Sequence, residues 1–360
     1  MLSKLSNPYP EKNKKKRCSE ITFTPTIVII RENALEYPLG KKLKKSFSEQ
    51  EEVDLHIVAS RGPFPLDYDL PFQEKFHRAK NALVVSVRKV NKFQTCKPSA
   101  HYQLPLVSGC PGRCHYCYLS TNMGKNPYVK VYVNREEILQ KAKTYMEERS
   151  PETTVFEGAA TSDPLPVEKW TGSLARAIEF FAHNPKGRVR FVTKFTAVDS
   201  LLDLEHGKKT EFRFSLNAKN VIKKFEPGTP GVSDRIEAAG KVYRAGYPTG
   251  FLLAPLMIYE NWKKEYEDLL TGLKKELDSP GNHLSFELIT HRFTERAKNV
   301  IEKAYPNTEL PMNEEERRFK YGQFGYGKYI YPPEKMEEIK DHLESTINKH
   351  FPEAEIKYFV

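Results

Sequence analysis

Three of the five cysteines, Cys110, Cys114 and Cys117, fall within eight residues of a 360-residue chain. Their spacing, Cys-x3-Cys-x2-Cys, lies in a loop containing Pro111 and Gly112, directly after the strand-like run 104–107. Three thiolates from one short loop can each take one iron of a [4Fe–4S] cubane and leave the fourth iron without a protein ligand. Zinc is the first alternative. It takes four ligands, usually in cysteine pairs separated by about 12 residues or more, and Cys96 or His115 would have to complete the set without that spacing. Plain structural thiols are the second. An odd cysteine count in a chain with no export signal argues against a disulfide framework.

An iron without a protein ligand suits a chelating cofactor. The amino and carboxylate groups of S-adenosylmethionine can occupy it, and one electron then breaks the sulfonium bond to give a 5′-deoxyadenosyl radical. Tyr116, an aromatic residue just before the third cysteine, is a further mark of the radical-SAM superfamily.

Such a loop needs a rigid support. From about residue 101, strand-length apolar runs at 154–157, 188–193, 211–216, 250–256 and 284–288 alternate with helical patterns at 135–148, 168–182, 234–245, 262–277 and 295–303. The fold class expected is α/β, a partial (α/β)6 barrel of the TIM type, with its chemistry at the carboxyl ends of the strands. Residues 1–100 read as an amino-terminal extension, with strands at 24–31 and 82–88 and a Lys-rich, polar first twenty residues. The barrel takes 101–310. Residues 311–360 supply a Gly-rich β-hairpin around Gln323 and Phe324, then a helix over 333–349.

Composition narrows the partners. The formal net charge is +10, which favours a polyanion. No apolar run is long enough to span a membrane, and no apolar core follows the basic amino terminus, so neither a membrane nor export is expected. The expected location is the cytoplasm.

The chain also resembles the spore photoproduct lyase family. The resemblance rests on Cys114-His-Tyr-Cys-Tyr118-Leu, Lys97-Pro-Ser-Ala100, Ala160-Thr-Ser-Asp163, Phe191-Val-Thr-Lys194, Phe212-Arg-Phe-Ser-Leu-Asn217, His291-Arg-Phe293 and Tyr326-Gly-Lys-Tyr329. These segments occur in order from about residue 80 to the carboxyl terminus. The resemblance implies a radical-SAM enzyme that returns 5-thyminyl-5,6-dihydrothymine in spore DNA to two thymines. Hydrogen abstraction at C6, β-scission of the joining bond and quenching by a hydrogen donor are the implied steps.

It further implies Cys110, Cys114 and Cys117 as cluster ligands and Ser162, Lys194, Ser215, Asn217 and Ala254 around S-adenosylmethionine. Tyr116 and Tyr118 match a pair of tyrosines beside the cluster, with Tyr118 implied in hydrogen relay and Tyr116 in packing. Arg292 matches a lesion-pocket arginine. Flipping a lesion out of a duplex leaves a gap, which Phe324 at the hairpin tip can fill; Gln323 stands where the family usually has a basic residue. Lys328, with Arg317, Arg318 and Lys320, is a candidate phosphate contact. The implied partners are double-stranded DNA carrying the lesion and an unidentified one-electron reductant, and the implied setting is a spore.

One position departs from the pattern. The family's hydrogen-donor cysteine directly precedes Thr-Ser-Asp, and here Ala160 stands there. An engineered exchange, a donor elsewhere, or loss of repair would each explain it. Cys96, where the family carries serine, is the candidate replacement, while Cys18 in the basic leader is expected to be incidental. Two other functions compete: the same chemistry on a different pyrimidine or RNA substrate, which Ala160 favours, and a metal-binding nucleic-acid module without chemistry, which Lys194, Ser215 and Asn217 disfavour.

Overall fold

Runs of β-branched and aromatic residues bounded by amphipathic helices dictate parallel strands covered by helices, and the computed structural model contains two sheets of this kind. It describes residues 22–66, 69–277, 284–321 and 327–360. The larger sheet has the order Glu355–Phe359, Leu284–Thr290, Thr249–Leu256, Thr210–Leu216, Gly187–Thr193, Thr154–Glu157, Ala100–Gln103, Thr95–Cys96. All neighbours are parallel except the last pair. Six of these strands, from Ala100–Gln103 to Leu284–Thr290, form the expected curled half-barrel. The strand at 355–359 extends one edge and the Cys96 strand the other.

Helices Arg135–Glu148 and Trp262–Leu277 fall on the residues that periodicity predicts. The expected helix over 168–182 is instead two, Glu168–Thr171 and Ser173–Ala182, because Gly172 takes a left-handed φ of 59° between them. Phe191, Phe212, Phe214, Phe251 and Phe286 fill the core of the half-barrel at 1% exposure or less. Truncating any one to Ala would cost about 3–5 kcal/mol.

The amino-terminal region is more regular than its sequence suggests. Helices Pro38–Ser48 and Phe72–Lys80 and the strand Asp54–Val58 occupy stretches without a clear signal. Leu39, Leu43 and Phe47 do repeat every fourth residue and are buried, but lysines crowd between them. This second sheet runs Asp54–Val58, Ile27–Arg31, Ala82–Ser86, Val129–Tyr132, Val107–Ser108. The two sheets share the chain between 95 and 132, which delivers residues 109–117 between them.

Candidate active site

Gly109 starts the cysteine loop with φ of +80°, and a Cβ there would run into the Tyr128 carbonyl. The turn therefore needs glycine. The loop is anchored on both sides. Gly109 N–H donates to Thr161 O (2.8 Å), Arg113 N–H to Pro227 O (3.0 Å) and His115 N–H to Phe225 O (2.9 Å). Cys110, Cys114 and Cys117 are free thiols. Burial raises the Cys114 thiol to about 12, helped by Glu226 and Cys117, and burial raises Cys110, helped by Asp163 and the other two sulfurs.

Three thiols close together, whose thiolates would repel one another, fit a cationic iron core that would stabilise all three once deprotonated. Among the described residues no three such side chains converge on a single ion. A cubane asks for no convergence, since each thiolate takes a different iron.

Beside the loop lies a polar shell built from strand ends. Lys194, just past Gly187–Thr193, donates to Ser215 Oγ (2.8 Å) and Glu226 Oε1 (3.2 Å). Asn217, fully buried, donates to Pro255 O (2.8 Å) and accepts from the Tyr266 hydroxyl (2.7 Å). Ser162 donates to Gly158 O (3.2 Å). Ala254 sits where the ladder to the strand at 284–290 shifts register between Leu253 and Leu256, so its backbone interrupts the regular pairing. Asp163 accepts from Thr193 Oγ1 and Lys194 N, both at 3.0 Å, and burial raises it to about 6 against those bonds.

Sequence reading missed the centre of this shell, Glu226. It is 1% exposed and accepts from Tyr116 Oη, Lys194 Nζ and Arg235 Nη2 (2.5 Å). Burial pushes its carboxyl up, but Lys194 and Arg235 outweigh that and hold it at about 2. Arg235, fully buried, also donates to Ser215 O (3.0 Å). Tyr116 is thus tied to the shell by its hydroxyl, with Lys194 Nζ 5.7 Å over its ring.

Cys96 lies on the edge strand, half-buried, and burial with Glu157 raises its thiol to about 11. Glu157 binds both sides of this region. One oxygen accepts from Ala159 N (3.1 Å), beside Ala160, and the other from Ser99 Oγ (2.8 Å), three residues after Cys96. Beneath it, Arg213 pairs with Glu157 and Glu287, Arg190 with Glu287, and Tyr358 Oη donates to Glu287 (2.8 Å). Arg190 also donates to Ser99 O (3.0 Å). Tyr118, 61% exposed, donates to Ala160 O (3.0 Å) and lies near Cys117, Cys96 and Glu157.

The hairpin strands Arg318–Tyr321 and Gly327–Ile330 form as expected; Gln323 and Phe324 lie outside the described residues, as does Cys18. Lys328 faces Lys320 directly across the pair and feels Arg292 as well. Phe319 and Tyr321 are 48% and 74% exposed, aromatic surface that the sequence reading passed over. Arg317 is a correction. Its guanidinium donates to His291 O and Pro311 O (both 2.9 Å) and lies 3.7 Å over the Tyr331 ring, so it braces the base of the hairpin instead of facing a phosphate.

A family model described as spore photoproduct lyase matches residues 23–360. The chain belongs to the spore photoproduct lyase family. Its relatives include spore photoproduct lyases of Clostridium acetobutylicum, 50% identical over 92% of this chain and 98% of that protein, and of Bacillus subtilis, 48% identical over 94% and 98%. Among solved structures, a spore photoproduct lyase complexed with dinucleoside spore photoproduct superposes with a TM-score of 0.90 at 43% identity, covering 94% of this chain and 99% of that one. A double mutant, with one Cys-to-Ala and one Ser-to-Cys exchange and with bound AdoMet and dinucleoside spore photoproduct, gives 0.89 at 44%, covering 94% and 99%. The half-barrel fold is therefore that of spore photoproduct lyases. Among the described residues no helix is long and apolar enough to cross a membrane.

Proposed function

We propose that this chain is a radical-SAM carbon–carbon lyase that repairs 5-thyminyl-5,6-dihydrothymine in DNA. The observation that carries the reading is convergence. The cysteine loop, the Lys194–Ser215–Asn217 shell and the Cys96 edge strand meet at one end of a half-barrel, in a chain of this family. Cys110, Cys114 and Cys117 would hold three irons of a [4Fe–4S] cluster, and Ser162, Lys194, Ser215, Asn217 and the Ala254 backbone would bind S-adenosylmethionine. When bound, cluster and cofactor supply a 5′-deoxyadenosyl radical, which removes hydrogen from C6 and lets the bond between the thymines break.

The chain's own residues finish the reaction. Cys96 Sγ gives its hydrogen atom to the thymine radical, and a thiol raised to about 11 keeps that hydrogen at neutral pH. Tyr118 Oη returns a hydrogen atom to the Cys96 thiyl and recovers its own from 5′-deoxyadenosine, whose radical would rejoin methionine to regenerate S-adenosylmethionine with one electron returned to the cluster. The double mutant among the relatives supports this assignment, because its exchanges are of the same residue types as Ala160 and Cys96 here. Tyr116 packs and orients. Arg292 lines the lesion pocket, and Arg318, Lys320 and Lys328 hold DNA phosphates within a carboxyl-terminal DNA-contacting region at 311–360 that follows the extension at 1–100 and the barrel at 101–310. A one-electron reductant is the remaining partner, and the cytoplasm of a spore or germinating spore is the setting.

The test is anaerobic incubation of reconstituted protein with dithionite, S-adenosylmethionine and a lesion-bearing oligonucleotide. Recovery of two thymines per lesion is expected. Turnover of cofactor with the lesion left intact would favour the second reading, another pyrimidine substrate, for which Ala160 speaks. Cys96→Ala should keep cofactor cleavage and divert product to aborted adducts; repair at the parent rate would remove Cys96 as the donor.

A further inference from the structure

Lys80 closes the helix Phe72–Lys80 and is 2% exposed. Its ammonium donates to Cys110 O at 2.9 Å and Gly112 O at 2.8 Å. Among the described residues no carboxylate pairs with it. An ammonium buried against neutral carbonyls alone costs several kcal/mol, and native folds keep such a group where an anion answers it. The carbonyls it grips belong to the first cysteine and to the glycine two residues later. A cluster held by three thiolates is negative, and reduction by one electron makes it more so.

We infer that Lys80 is the built-in counter-charge of the iron–sulfur cluster: it fixes the cysteine loop and favours the reduced state over the oxidised one. The inference rests on the cluster reading above. Lys80 is a positioning residue, not a ligand. By holding the Gly112 carbonyl it orients the loop in which Gly112 N–H faces Cys110 Sγ at 3.4 Å. The next residue, Asn81, accepts from Arg113 Nη2 at 2.7 Å, so the end of one helix grips the loop twice, once through its own ammonium and once through a neutral amide that holds the loop's guanidinium. This gives the amino-terminal sheet a task in the chemistry. It carries that helix to the cluster and excludes water from the cation.

The experiment is a redox titration of the reconstituted full chain followed by electron paramagnetic resonance, with iron content measured alongside. Lys80→Met keeps length and removes charge. It is expected to shift the one-electron reduction equilibrium about tenfold toward the oxidised state, close to 59 mV more negative. Asn81→Ala, which loosens the same loop without touching charge, is expected to keep the parent potential. A Lys80→Met variant with full iron and the parent potential overturns the inference, as does an equal shift in Asn81→Ala. Should Lys80→Met take up no iron, Lys80→Arg decides: loading at the parent potential supports the counter-charge, and failure of both reduces Lys80 to packing. A parent chain that takes up no iron would instead remove the cluster reading itself.

Discussion

Lys80, bound to the cysteine loop, and Lys328, on the carboxyl-terminal hairpin, are both lysines that the fold treats in opposite ways. Lys80 is enclosed, with both its hydrogen-bond partners fixed on the cysteine loop. Lys328 is set against Lys320 and Arg292 on an open hairpin. Like charges placed directly across a strand pair are destabilising, so the hairpin bears a cost that a polyanion would remove. On the proposed function, the first region is organised before its ligand arrives, and the second gathers positive charge for its own. In the proposed reaction the cofactor end holds a reactive species in fixed geometry, whereas the hairpin end accepts a duplex and releases it.

The comparison predicts effects of falling size. Cys114→Ala removes the proposed ligand at the buried heart of the loop. Complete loss of absorbance near 400 nm after reconstitution is expected, with DNA affinity little changed, and retained absorbance would break the separation of the two regions. Glu226→Gln leaves Arg235 and Lys194 without their anion and should destabilise the fold by about 3–5 kcal/mol in urea unfolding. Because the folded carboxyl sits at about 2 against an ordinary 4.5, its contribution is present above about pH 4.5 and is lost as pH falls through 2. A melting temperature insensitive to pH between 5 and 2.5 would speak against that role.

At the hairpin the changes should be smaller and confined to DNA. Lys328→Ala should lower the slope of log affinity against log salt by about 1 and leave cofactor binding alone. An unchanged slope would mean that the lysine pair meets no phosphate. Tyr321→Ala is expected to cost about 1–3 kcal/mol of affinity for unstacked bases, with no change for intact duplex. Equal losses on both would assign the ring to general packing.

Legibility in the sequence followed the physics of each region. The half-barrel was readable because its strands set apolar residues at alternate positions, as in Phe212, Phe214 and Leu216 or Phe286 and Leu288, and its helices repeat at 3.6. The cysteine loop was readable because ligand spacing is local. Glu226 was not, since it follows a short helix in Phe-Glu-Pro-Gly and gains its meaning from Lys194 and Tyr116, far away in sequence, and from Arg235 on the next helix. Lys80 was hidden likewise, as one lysine among many. Arg317 misled for the converse reason: in sequence it sits with Arg318 and Lys320, yet its neighbours in space are carbonyls and a tyrosine ring.

Glu157 joins the two sites, at Ala160 and Cys96, that are alternatives for the hydrogen donor in the proposed reaction. One oxygen tethers the backbone beside Ala160 and the other tethers Ser99 behind Cys96, so a single carboxylate fixes both stations relative to each other. With that ruler in place, a thiol can disappear from one station and arise at the other by two point changes while the scaffold stays still. The donor is in this sense interchangeable between seats, and heredity can move it without rebuilding the room.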